Sequence, residues 1–303
     1  MNRCIEWGGV DYFLRGGFDC YNDCCLQSIH IPAASNNNDR EMNMRTFIAA
    51  ALGILGLINF ATCAQAQTSA ARDWSGSYLG GSVGAVESRA ATEASTADGF
   101  PGSYFTPPDP QQIIEEADGS LSQSSLSGGV FGGFGRQFGK LYLGLEVSAN
   151  TLGFDETRTS GAVYLSNSAG AFTQELSVKA DWQATMRARL GWAQERWLVY
   201  LTGGAAVARI ELDAAFSDDF LGVGARGRNS TKETKLGWVV GLGGEYALSE
   251  NWSIRGDYLY ADYGKVDTSA TVTNPAFPVF ANTLKSSAQF KTQTLSVGMA
   301  YRF

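Results

Sequence analysis

Seven ionisable residues recur on the polar faces of alternating segments: Glu146, Arg187, Arg189, Glu245, Arg255, Asp257 and Arg302. Acids and bases brought together in this way could be a catalytic cluster. What they lack is a partner that activates a nucleophile. The chain has one histidine, His30, and its five cysteines are Cys4, Cys20, Cys24, Cys25 and Cys63. All six precede residue 67. From there on, Ser-His and Cys-His catalysis, disulfides and histidine metal sites are excluded. The vicinal Cys24-Cys25 pair lacks the C-x-x-C spacing of a zinc site. The seven charges therefore read as a structural network, four guanidiniums paired with three carboxylates inside a closed fold. Left unpaired there, each would cost several kcal/mol. The sequence predicts no catalytic residue, no cofactor and no metal.

Other stretches carry weaker signals. GGVFGGFG, residues 128–135, does not match G-x-G-x-x-G, and a strand rather than a helix follows it. Glycine in a narrow interior explains it better. The acidic pairs Glu115-Glu116 and Asp218-Asp219 could bind cations near lipid headgroups, but read first as solvated loop charges. NPAFPVF, residues 274–280, puts Phe277 and Phe280 at an exposed loop tip.

The elements that position the seven charges are strands. Leu295, Val297, Met299, Tyr301 and Phe303 share one face, while Thr294, Ser296, Gly298, Ala300 and Arg302 share the other. This period of two is a strand with one apolar and one polar face. It runs to Phe303, and such a strand needs both edges paired, which closure into a barrel supplies. Seven more strands are predicted: 76–86, 125–138, 141–152, 176–193, 197–216, 232–247 and one from Trp252. In the fourth, Asp181, Gln183, Thr185, Arg187 and Arg189 share the polar face. Long connections, 87–122, 153–175, 217–230 and 267–287, alternate with tight turns, so neighbours are antiparallel. The six prolines beyond residue 67 fall in the first and fourth long connections. This is an all-β, eight-stranded antiparallel transmembrane β-barrel with short periplasmic turns and long extracellular loops. The polar face is sparsely charged, unlike a soluble exterior, so the apolar face is assigned to lipid. Trp74, Phe138, Trp192, Trp197, Tyr246, Trp252, Tyr301 and Phe303 gather near the turns and termini, as an interfacial girdle would.

Upstream, Met44-Arg45, the apolar run 47–58 and Ala64-Gln65-Ala66 make a signal peptide, 44–66, cut after Ala66. Residues 1–43 are then an upstream extension outside the mature protein, with initiation at Met42 or Met44, and 67–303 is the barrel domain. That domain keeps 19 of the 23 Lys and Arg and 24 of the 30 Asp and Glu, a net charge of −5. An acidic surface of this kind does not bind nucleic acid.

Several stretches resemble the small outer-membrane β-barrel proteins of alphaproteobacteria, a group labelled porin-family or OmpA-like barrel domains. They are WSGSYLGGSVG from Trp74, TMRARLGW from Thr185, WLVYLTGGAA from Trp197, GWVVGLGGEYALSENW from Gly237, DYLYADYG from Asp257 and the terminal LSVGMAYRF. The resemblance implies an outer-membrane address and contact with outer-membrane lipids and lipopolysaccharide. It also implies insertion by the barrel-assembly machinery, with Tyr301 and Phe303 as the signal, and no catalytic residues. Four functions compete: a structural barrel displaying surface loops, a small-solute channel, a lipid-modifying hydrolase, and a loop-mediated adhesin. Eight strands leave no wide channel, and the missing histidine removes the usual serine activation.

Overall fold

The structure, a computed structural model, describes residues 72–96 and 105–303. The expected upstream extension, 1–43, and signal peptide, 44–66, lie outside the described residues. Eight strands form one closed antiparallel barrel: β1 Gly76–Thr96, β2 Gly119–Phe138, β3 Leu141–Val163, β4 Ala171–Gln194, β5 Trp197–Asp218, β6 Arg226–Ala247, β7 Trp252–Thr273 and β8 Ala281–Arg302. β8 closes on β1 through a register running from Tyr78↔Arg302 to Thr96↔Leu284. Through the turn-proximal half this closure leaves no open edge, which a backbone crossing hydrocarbon requires; nearer the loops β2–β3 pairing stops at Gly129↔Asn150 and β6–β7 pairing is interrupted between Arg226 and Trp238. Among the described residues an α-helix, α1 Asp109–Ala117, lies in the connection between β1 and β2.

The strands are longer than the periodicity indicates, and the connections correspondingly shorter. β3 continues to Val163, β7 to Thr273, and β8 begins at Ala281. Three of the four long connections shrink to residues 164–170, 219–225 and 274–280. The cause is a reversal of polarity along most of the strands, β6 excepted, whose upper inward positions are Asn229, Thr231, Glu233 and Lys235. On the turn-proximal half, the outward face is apolar and the inward face polar. On the loop-proximal half, the outward face is polar and the lumen apolar. A search for outward hydrophobics therefore ends the strand too early.

β4 shows the reversal within one element. Its lower outward residues include Trp182, Met186, Leu190 and Trp192, all exposed, and Arg187 and Arg189 point inward. Above, Val178, Ala180 and Phe172 are buried in the lumen while Lys179 and Glu175 face out. A β-bulge marks the switch, for the register slips by one residue between Ala180 and Gln183. The bulge places Asp181 and Trp182 both outside. This corrects the assignment of Asp181 to the inward face with Gln183. Similar slips occur between Thr151 and Phe154 on β3 and between Asp262 and Lys265 on β7. Gly153 (φ 61°) and Gly264 (φ 73°) occupy these two bulges, where the backbone turns into a region L-residues avoid.

The outward apolar band is bounded by aromatics. Phe138, Trp192, Trp197, Tyr246, Trp252, Tyr301 and Phe303 line its lower edge, with Trp197 and Tyr246 rings 4.6 Å apart. Trp182, Trp238, Tyr258 and Tyr260 sit at its upper edge, Trp238 and Tyr260 5.5 Å apart. Trp182 and Trp192 lie ten residues apart on one strand, roughly 25 Å of height at ~3.4 Å per residue and ~40° tilt. That matches the apolar band of a barrel crossing a bilayer. Trp74 is corrected: it is fully buried, packed under the lumen with Tyr142 and Leu198, and is not part of the girdle.

Two substitutions to arginine on the outward face of β3 test this boundary. Leu145→Arg, in the middle of the band, should cost about 2–4 kcal/mol of stability in vesicles. Thr159→Arg, above the bulge, should stay within about 0.5 kcal/mol. Urea unfolding of the two variants in lipid measures both, and equal costs would contradict the boundary.

Candidate functional site

The lower lumen brings the seven charged residues together. All are 5% exposed or less. Glu146, on β3, is the centre. Its Oε1 accepts from Arg187 Nη2 at 2.5 Å and from Arg255 Nη2 at 3.0 Å. Its Oε2 accepts from Arg255 Nη1 at 2.6 Å, Arg189 Nη1 at 3.2 Å and the Tyr78 hydroxyl at 2.9 Å. Arg189 reaches on to Glu245 Oε2 at 3.3 Å, and Arg302 Nη2 lies 3.7 Å from Glu245 Oε1. Arg255 Nε donates to Asp257 Oδ2 at 2.6 Å. The four guanidiniums and three carboxylates thus form one connected cluster. It has no nucleophile with an activating base, and every carboxylate is held by arginine. The three carboxylates balance three of the four guanidiniums, and none of them is free to take up a proton from a substrate.

Tyrosines that the sequence reading passed over complete the cluster. The Tyr200 hydroxyl donates to Asp257 Oδ1 at 2.6 Å, and the Arg189 guanidinium lies 3.6 Å from the Tyr200 ring centroid. Arg255 lies 3.9 Å over the Phe131 ring. Such stacking suits a guanidinium, which is weakly hydrated and planar. The signal was present in the glycines. A Cβ on Gly135 would lie 2.1 Å from the Tyr142 hydroxyl, and one on Gly243 would lie 2.5 Å from the Tyr200 hydroxyl. Inward tyrosines beside inward glycines are large-against-small packing across neighbouring strands. Gly135 belongs to GGVFGGFG, so that run makes room for aromatic rings.

Both ends of the lumen are filled. Below, Trp74 closes the barrel, and its backbone N–H donates to Gln137 Oε1 at 2.9 Å. Above the charges, Phe154 and Phe290 pack at 5.3 Å, and Tyr263 lies 5.8 Å from Phe290. At the loop end, α1 plugs the mouth. Ile113 is 1% exposed, and its carbonyl accepts from Gln174 Nε2 at 2.7 Å. Arg158 Nη1 donates to the Asp118 carbonyl at 2.6 Å, and Gln112 Nε2 to the Val163 carbonyl at 2.9 Å. A void among Ala94, Arg158, Gln174 and Leu284 measures about 20 Å³, room for about one water.

Of the two residues expected to carry the assembly signal, Tyr301 lies on the outward face of β8 and Phe303 follows the strand at the lower rim. Their rings are 5.1 Å apart, and Phe303 is 75% exposed. In the loop 274–280, Phe277, Val279 and Phe280 are exposed.

A closed eight-stranded barrel with an apolar band outside and a packed ionic lumen is a transmembrane β-barrel of the outer membrane. Residues 56–303 match the family described as outer membrane protein beta-barrel domain, and the chain belongs to that family. It is 30% identical over 231 residues to the 31 kDa outer-membrane immunogenic protein of Brucella melitensis, covering 76% of this chain and 84% of that one. It is 28% identical to the 22 kDa outer membrane protein of Rhizobium leguminosarum bv. viciae, over 47% of this chain and 54% of that one. Among solved structures, OprG of Pseudomonas aeruginosa aligns with a TM-score of 0.39 and 13% identity, covering 77% of this chain and 98% of that one.

Glu146→Gln tests the cluster. It leaves three arginines around a neutral amide and should destabilise the barrel by about 3–5 kcal/mol. Arg187→Met removes one guanidinium from the side in excess and should cost less. Unfolding midpoints of the two variants give the order, and a larger loss for Arg187→Met would contradict the central place of Glu146.

Proposed function

We propose that this outer-membrane β-barrel protein is a structural, non-enzymatic element of the envelope that holds polar loops at the cell surface. The observation that carries the reading is the filled lumen. Paired ions, an aromatic layer and α1 occupy it in succession, and the void near its mouth has room for about one water. A filled lumen also argues against the small-solute channel. With Glu146, Glu245 and Asp257 all held by arginine, the charged cluster offers no free general base for a hydrolytic role.

Its partners are outer-membrane lipids and lipopolysaccharide, which meet the apolar band and the charged outer surface above it. The barrel-assembly machinery is a further partner during insertion, through the exposed ring of Phe303 beside Tyr301. The word "immunogenic" in the relative's description suits surface display, in which loops are what another cell meets. A second reading, loop-mediated adhesion, is favoured by the tip at 274–280, where Val279 is 84% exposed. Deletion of that tip should abolish binding to host matrix on the second reading and leave it unchanged on the first.

Planar-bilayer recording tests the structural reading. Pure protein should give no stable conductance. Large, long-lived single-channel steps would overturn the sealed barrel and favour the channel.

A further inference from the structure

The outward face is not uniformly convex. A groove of about 500 Å³ crosses β1 to β5 within the apolar band. Its floor is set by the small residues Gly132, Ala149, Ala184 and Ala205, in register with one another or with the larger Val147 and Met186: Gly132 pairs with Val147, Ala149 with Ala184, and Met186 with Ala205. Leu79, Val130 and Val207 raise its walls. The volume falls in the range of small-ligand sites, about 300–1,000 Å³. The lining is almost wholly carbon.

The outer end of the groove has a different chemistry. Ala184 is followed on the same face, toward the loops, by Trp182. Val207 is followed by Arg209, and Ala149 by Thr151. All three are exposed. Trp182 thus stands at interfacial height, where indole rings meet headgroups. The neighbouring charges are already paired: Lys179 with Asp155 at 3.0 Å, and Lys232 with Glu211 at 2.7 Å. Arg209 makes no ion pair within 4 Å and no side-chain hydrogen bond among the described residues; the carboxylate that feels its charge, Glu211 two residues on along the same face, is already bonded to Lys232. An unpaired guanidinium above an oily slot suits a molecule with an anionic head and a hydrocarbon tail.

We propose that this groove is a binding site for one phosphate-bearing lipid of the outer leaflet. An acyl chain lies along Gly132, Ala149, Ala184 and Ala205, and the phosphate is held by Arg209 beside Trp182. The inference rests on the outer-membrane location and not on the sealed lumen, so either can fail alone. A second copy of the chain is the competing occupant, because small-residue seams also bring membrane segments together. A twofold pairing through this groove would set the two copies' Arg209 at the same height on opposite flanks of the seam, and the test below separates that occupant from a lipid.

The test uses full-length protein purified in mild detergent and incubated with vesicles containing lipid A, or lipid A stripped of its phosphates. Native mass spectrometry counts the lipids retained per barrel. The wild type should keep one lipid A and release the dephosphorylated form. Ala184→Leu/Ala205→Leu, which fills the floor, should lower retention about tenfold, the factor given by ~1.4 kcal/mol. Arg209→Glu should lower it similarly, and Arg209→Lys should restore part of it. Arg209 is exposed, so its variants fold even if the leucines impair insertion, and heat-modifiable gel migration checks this. Retention unchanged in the double variant and in Arg209→Glu overturns the proposal. Loss of a dimer peak in the double variant, with lipid retention unaltered, assigns the groove to a second copy and overturns it equally.

Discussion

Glu146 is the anion on which the lower barrel depends. Three guanidiniums converge on its two oxygens, and each would repel the others without it. Ladder hydrogen bonds join each strand only to its neighbours. The cluster joins strands across the lumen. β1 contributes Tyr78, β2 Phe131, β3 Glu146, β4 Arg187 and Arg189, β5 Tyr200, β6 Glu245, β7 Arg255 and Asp257, and β8 Arg302, so every stave is tied to the centre. The lumen of an eight-stranded barrel has room only for packed side chains. Charges placed there must pair. A fully connected set is the arrangement in which burial does not leave any one of them isolated.

Above this level the strands run on with β2–β3 and β6–β7 pairing interrupted, around a differently filled interior. Its centre is apolar, with Phe154, Ile210, Val266 and Phe290 fully buried or nearly so beside a few buried polar groups such as Gln174 and Thr268, and its outside carries Lys179, Glu175 and Lys265. The change of solvent explains the change of face. Inside the bilayer the exterior must be oily and the core can be ionic. Outside it, water faces the exterior, and the core must be oily for the usual hydrophobic reason. The bulges on β3, β4 and β7 lie at this level, and on β4 the bulge shifts the inward parity so that both halves keep their proper faces.

The lower half was legible in the sequence because its alternation is strong. Leu141, Leu143, Leu145 and Val147 on β3, and Trp182 to Trp192 on β4, fix strand, parity and lipid face at once. The seven ionic residues could be picked out as inward because a sparse charge on the face opposite an oily one has few other places to go. The upper parts of β1, β3, β7 and β8 resemble loop in the sequence for a definite reason. There the outward face of β7 is Lys265, Asp267 and Ser269, which looks like a surface segment when the expected signal is an outward apolar stripe. Asp181 was misplaced because a bulge shifts parity by one without any mark in the residue types. Trp74 was misplaced because closeness to a turn says which end of the barrel a ring occupies, not whether it lies inside or outside. The tyrosines of the cluster were missed because an inward tyrosine is recognised only with its glycine neighbour on the next strand, as with Tyr200 and Gly243.

The three layers of the lumen are chemically distinct, and that bears on how such a barrel could ever conduct. An ion entering from the turn side would first pass Trp74 and then exchange with the paired charges around Glu146, where fixed ions of opposite sign bind each other. Next it would meet the layer of Phe154, Tyr263 and Phe290, which offers a bare ion little hydration, and then α1, anchored to β3 and β4 through Arg158 and Gln174. Rearranging the charges does nothing to the aromatic layer, and withdrawing α1 does nothing to the charges. Opening therefore needs separate changes with no shared cause in the fold, and their costs add. The surfaces open to partners without that cost are the outward ones: the loops, and the lipid-facing band with its groove.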